Sequence, residues 1–260
     1  MKTPLLWCLL CALCLVPGAA FGHEFIVKPQ GSTALKQGQN ATGQVQAAHI
    51  FMVSEEAERI AESPLHIVGE SPVAVTVEAP QGKPWLAYSF AAPTGGPFML
   101  VGWRKPQVWS LTTQGIMEGD RETLKKQGKS VASVGKYEKF AKTLYNLAPN
   151  APLFTTPVGQ RLEIVPVGDV SQAKGNGQPI GFTVLLDGKR ANLPLHATYD
   201  GFSKEQEEYA FTLTPDKENV SHVPFSRSGL WLLQTQTVLK ENVQGADTHS
   251  LKATLVLQVP

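Results

Sequence analysis

Beyond residue 14 the chain has no cysteine; its three thiols are Cys8, Cys11 and Cys14. They lie inside one apolar run, Leu5 to Val16, behind a single Lys2 and ahead of Pro17-Gly18-Ala19-Ala20-Phe21-Gly22. That pattern predicts a secretory signal peptide over residues 1–22, too short to remain as a membrane span. Export would then discard every thiol, which excludes disulfides, thiolate metal sites and cysteine nucleophiles from the working chain. Charge of one sign is also missing. Lys plus Arg is 23 and Asp plus Glu is 22, so no field exists to hold nucleic acid or an anionic membrane. No second long apolar run follows the first. The expected location is the bacterial periplasm, with no direct membrane insertion after cleavage.

Enzyme motifs are absent too: there is no G-x-S-x-G elbow, no phosphate-cradling glycine loop and no H-E-x-x-H. What the chain does have is a series of short β-type runs separated by turn residues. The first series contains Glu24 to Val27, Gly43 to Ala48, Val73 to Glu78, Trp85 to Ala91 and Phe98 to Trp103. A polar stretch about 118–148 predicts a helical insertion, with Tyr137, Phe140, Ala141, Leu144 and Tyr145 on one helical face. Pro149, Pro152 and Pro157 place a boundary near residue 155. The second series comprises Arg161 to Val167, Ile180 to Leu186, Leu195 to Tyr199, Tyr209 to Leu213, Leu230 to Val238 and Leu251 to Val259, with Asp187-Gly188 as a tight turn. The expected fold is mainly β, with two immunoglobulin-like β-sandwich domains over 23–155 and 156–260.

With thiols gone, the chemistry falls to six histidines, His23, His49, His66, His196, His222 and His249. None is spaced as a local metal motif. His23 stands out because cleavage after Gly22 gives one residue a free α-amine and an imidazole, both neutral ligands near pH 7. Cleavage after Ala20 would leave Phe21-Gly22-His23, a third-position histidine able to wrap Ni²⁺ or Cu²⁺. His49 ends a strand in Ala47-Ala48-His49-Ile50-Phe51-Met52, where Met52 is either a soft thioether donor or core filler. His249 precedes the last strand and follows Asp247, either as a third ligand or in a solvated turn. His66, between Leu65 and Ile67, is expected to be structural.

The opening His23-Glu24-Phe25-Ile26-Val27-Lys28-Pro29 is similar to the H-E-F-W-x-x-P start of a bacterial domain-of-unknown-function family. Ala48-His49-Ile50-Phe51-Met52, Gly135 to Lys142, Leu162 to Pro166, Leu185 to Lys189 and Gly229 to Leu232 continue the resemblance through most of the chain. Ile26 stands where Trp is common, a difference of packing rather than ligation. Members are exported β-rich proteins described as additional periplasmic components of nickel/cobalt (energy-coupling-factor, ECF, type) uptake transporters. The resemblance implies a binding protein for Ni²⁺ or Co²⁺, with a membrane metal importer as partner and no catalysis. His23 and His49 match family histidine positions, and His249 matches by place. Imidazole donors also suit Cu²⁺ and Zn²⁺. A copper-dependent oxidative enzyme with an N-terminal histidine, or a metal-free adhesion sandwich, would use the same fold.

Overall fold

The computed structural model describes residues 22–240 and 245–260. Residues 1–21, which hold all three cysteines and most of the expected signal peptide, lie outside the described part. Eight strands form the first half: β1 Glu24–Gln30, β2 Asn40–Ala48, β3 Leu65–Val68, β4 Thr76–Glu78, β5 Trp85–Ala91, β6 Phe98–Thr112, β7 Gly115–Glu118 and β8 Val131–Tyr145. The second half adds β9 Leu162–Pro166, β10 Pro179–Leu186, β11 Lys189–Ala191, β12 Leu195–Tyr199, β13 Phe211–Leu213, β14 Val220–Pro224, β15 Gly229–Leu239 and β16 Thr248–Val259. Helix is confined to short pieces, and no described helix is long and apolar enough to cross a membrane.

The protein is mainly β, and its pairing order is that of two immunoglobulin sandwiches. Strands β1-β2-β5-β4 form one sheet, and β3, β6 and β8 lie consecutively in another. In immunoglobulin lettering these are A-B-E-D and C-F-G. The second half repeats the scheme, with β9-β10-β14 as A-B-E and β12-β15-β16 as C-F-G. The two C-F-G layers are one sheet. Strands β8 and β16 pair in parallel from Gly135↔Thr248 to Thr143↔Val256, giving eight strands in all. The segment near residue 155 joins β8 to β9, and the shared sheet runs across it.

Each face of that shared sheet carries its own core. Met99, Val101, Phe140 and Leu144 pack with Phe182, Trp231 and Leu255 on one side. Phe98, Leu100, Ala141 and Tyr145 pack with Phe25, Val45 and Tyr88 on the other. This corrects the expected helix over 118–148. Only Arg121–Lys126 is helical there (α1), with the Asp120 carboxylate accepting from the Thr123 N–H at 2.7 Å. Residues 131–145 are strand β8. Phe140/Leu144 and Ala141/Tyr145 face opposite cores, so apolar pairs recur every four residues, as on a helix face. The pattern comes from a strand buried on both sides.

The turn at Asp187-Gly188 joins β10 to β11 with φ of 49° and 75°, the left-handed pair that a type I′ hairpin needs. Strand β1 is tied to the shared sheet by side chains. The Thr254 hydroxyl donates to the Phe25 carbonyl at 2.6 Å and the Thr143 hydroxyl to the Val27 carbonyl at 2.5 Å. A small core of Ile26, Ala48, Met52, Leu232 and Val256 fills the seam between β1/β2 and the second half. The start of β1 is therefore held where both sandwiches meet.

Candidate metal centre

Antiparallel register brings the two leading histidines together. Glu24 pairs with Ala48 at the end of the β1–β2 ladder, so His23 and His49 are the next opposing positions. Their ring centroids are 4.2 Å apart. Past Ala48 the chain turns back on itself: the Val53 N–H donates to the Ile50 carbonyl at 3.0 Å, and the Glu55 N–H to the Ala47 carbonyl at 2.8 Å. Met52 takes φ of 66° in this turn and buries its thioether in the seam core. It is core filler, not a ligand.

That return places Glu55 beneath both rings. One carboxylate oxygen lies 3.1 Å from His49 Nδ1 and 3.3 Å from His23 Nε2, and the other accepts the His49 N–H at 2.8 Å. Glu56 lies 3.2 Å from His23 Nδ1. Donor atoms of His23, His49 and Glu55 all fall within 4.8 Å of one another. Two borderline imidazoles and one hard carboxylate together suit Ni²⁺, Co²⁺, Cu²⁺ and Zn²⁺, so the residues fit a divalent transition ion. Burial holds the His23 imidazole below its usual range, helped by His49 and Lys139 and opposed by Glu56 and Glu55. Burial pushes the Glu55 carboxyl up, but the His49 N–H, the His49 ring and the two imidazole charges outweigh it and hold it low. A neutral imidazole and an ionised carboxylate are the forms that ligate.

Beneath this cluster the sheet buries an unusual row of cations. Arg104 of β6 pairs with Lys139 of β8, and Lys139 with Lys252 of β16. All three are buried. Glu58 accepts from Arg104 Nε at 3.2 Å and lies 3.5 Å from Lys139 Nζ. The Lys252 ammonium donates to the carbonyl of Gly22. Beside it the buried Glu24 carboxylate accepts from the Tyr209 hydroxyl, and the Glu207 N–H donates to the His49 carbonyl at 3.0 Å. The 200–209 loop of the second half thus braces a site whose ligands come from the first.

His249 is not part of this cluster. It is buried, with Nε2 at 3.1 Å from Glu138 and Nδ1 at 2.9 Å from Arg161. A guanidinium only donates, so Nδ1 is the acceptor and the ring proton sits on Nε2. The expectation of a third imidazole ligand fails because β16 pairs alongside β8, and that pairing directs His249 into an ion network of its own. His66 stands on β3 beside a cavity of about 320 Å³ that Trp103, Glu138 and Arg161 also line. His196 stacks on Tyr209, and His222 lies 3.3 Å from Asp216. Sequence reasoning missed Glu55. Its signal was the turn after His49, which returns the chain to the same strand end within six residues.

Residues 20–238 match the model of a family described as Domain of unknown function (DUF4198). No curated protein matches the chain. Among solved structures, the D0-D1 domain of Intimin aligns over 92% of this chain and 99% of that one, at 12% identity and a TM-score of 0.23. A score that low carries neither fold nor function across.

Proposed function

This chain belongs to the family described as Domain of unknown function (DUF4198), and we propose that it captures a divalent transition-metal ion, Ni²⁺ or Co²⁺, in the periplasm and passes it to a membrane importer. The observation that carries the binding role is the convergence of His23, His49 and Glu55 on one point at the seam of the two sandwiches. The choice of nickel or cobalt, the importer and the compartment rest on the resemblance and on the leader-like first 22 residues. The role is binding rather than catalysis. Cleavage between Gly22 and His23 would add the His23 α-amine to the donor set, beside its own imidazole. Hydrogen bonds that the Glu55 carboxylate accepts from both rings orient them before the ion arrives, which lowers the cost of ordering them.

Intact mass of the exported chain, followed by calorimetry with Ni²⁺, Co²⁺, Cu²⁺ and Zn²⁺, tests this reading. The processed wild type is expected to bind one ion, and a His23→Ala, His49→Ala double variant to lose that binding. Equal binding of all four ions by wild type and double variant would place the metal elsewhere.

A further inference from the structure

We infer that the cleft around Trp103, on the other face of the shared sheet, binds a neutral sugar unit. This site is separate from the metal cluster and independent of it. Successive residues of a strand point to opposite faces. Arg104 and Lys139 pair on the face beneath the histidine cluster, so their chain neighbours Trp103 and Glu138 face the other way. His66 joins them, because it pairs with Val101, two residues from Trp103. The segment between the sandwiches brings Gln160 and Arg161 to the same place. These side chains line the cavity of about 320 Å³, at the small end of the roughly 300–1,000 Å³ of ligand sites.

The chemistry of the lining selects the ligand. Trp103 is 37% exposed, and its N–H is directed inward onto the buried Glu138 carboxylate at 2.8 Å. What it offers the cleft is therefore ring carbon. The electron-rich face of an indole attracts the polarised C–H bonds of a flat saturated ring. The charged groups are already matched. Arg161 donates from Nε to Asp187 and from Nη1 to His249, both at 2.9 Å, and Glu138 lies 3.1 Å from His249. A carboxylate, phosphate or ammonium ligand would have to displace one of these partners. The uncommitted groups are uncharged. Gln160 donates from its amide nitrogen to the carbonyls of Gly102 and Ala141 at 3.1 and 3.2 Å, which fixes the amide and leaves its oxygen as an acceptor. His66 makes no hydrogen bond among the described residues. Burial holds its ring below the ordinary range, so near pH 7 it is neutral, with one donor and one acceptor nitrogen. An apolar face, a fixed acceptor and a neutral donor–acceptor ring match a pyranose, whose C–H face stacks and whose hydroxyls both donate and accept. A proline or aromatic side chain would use the ring face but leave Gln160 and His66 unmet.

NMR titration of the exported chain tests the inference. The probes are cellobiose, lactose, maltose and chitobiose, with glucuronic acid and a proline-rich peptide as contrasts, each up to about 10 mM. The Trp103 indole N–H signal is assigned by its absence from Trp103→Phe. At least one neutral disaccharide is expected to shift that signal and to saturate at one per chain. In calorimetry with that sugar, Trp103→Ala, shown to be folded by its circular dichroism, should bind about tenfold more weakly or worse, and Trp103→Phe, which keeps a ring face, within a few-fold of wild type. His66→Ala, at the rim, should weaken binding by about threefold or more. Should Trp103→Ala not fold, the indole signal and His66→Ala decide in its place. The inference is overturned if no neutral sugar binds, if the variants bind as tightly as wild type, or if only glucuronic acid or the peptide binds.

Discussion

The Lys142 ammonium donates to the Glu163 carboxylate across 2.8 Å, with both side chains only 1% exposed. The same carboxylate also accepts the N–H groups of Val158, Gly159 and Gln160 at 2.7, 3.0 and 3.2 Å. The pair therefore fastens the segment between the two sandwiches to the middle of the shared sheet. Removing one partner of a buried pair costs about 3–5 kcal/mol, so Lys142→Met is expected to lower stability by that order in urea denaturation. Glu163→Leu should cost more, because it also removes the acceptor of three part-buried amides. The reverse order would show that the carboxylate does not hold the segment.

Gly43 has no room for a methyl group. A Cβ there would lie 2.2 Å from Tyr88 Cζ and 2.3 Å from the Lys28 carbonyl. Tyr88 is fixed in turn by its hydroxyl, which donates to Lys28 and sits 2.9 Å from the Tyr145 hydroxyl. Gly43→Ala is expected to destabilise the chain by about 1–3 kcal/mol through overpacking. A midpoint in urea unchanged from wild type would disprove the close packing of β2 on Tyr88.

The buried Lys139 sets a pH dependence. Burial lowers its ammonium to about 8, with Glu58 opposing and Arg104 and Lys252 reinforcing the drop. Between that value and the ordinary one near 10.5, the unfolded chain binds more protons than the folded one. Stability should therefore rise with pH from about 8 to 10. Above 10 the trend should turn, because burial pushes Tyr145 up to about 12 and Tyr88 and Tyr209 up as well. Urea midpoints measured from pH 7 to 11 should show the rise, and Lys139→Met should reduce it, leaving the share of the buried Lys142 and Lys252. A wild-type midpoint constant over pH 8–10 would contradict this.

His249 and the proposed metal site should respond independently. His249→Ala leaves Glu138 and Arg161 without the ring between them, so a loss of about 1–3 kcal/mol is expected. Affinity for Ni²⁺ should stay within about threefold of wild type. A loss of metal binding that exceeds the loss of fold would return His249 to the ligand set.

Much of this architecture was legible from residues alone. Trp85–Ala91 and Leu195–Tyr199 read as short β-type runs between turn residues, and their observed bounds match that reading. Strand β8 did not, since a strand covered on both sides loses the period of two on which such a reading depends. Its parallel partner β16 lies more than a hundred residues away, and no local pattern announces that pairing. At the site, the chemistry of His23 and His49 could be read from residue type and position. Their meeting is a matter of register, with Glu24 opposite Ala48. Glu55 and Lys252 were invisible for different reasons. One arrives by a turn whose left-handed residue is Met52 rather than glycine, and the other by a β-ladder spanning both halves.

That ladder has a consequence for how the molecule can be divided. In a lone immunoglobulin sandwich the last strand is an edge, open to pairing with any other chain. Here the two last strands, β8 and β16, cover each other over nine residue pairs. Neither sandwich is a portable module. Cutting the chain near residue 155 would give two fragments, each with a long, bare and sticky margin, and the His23–His49 cluster would lose the 200–209 loop that braces it.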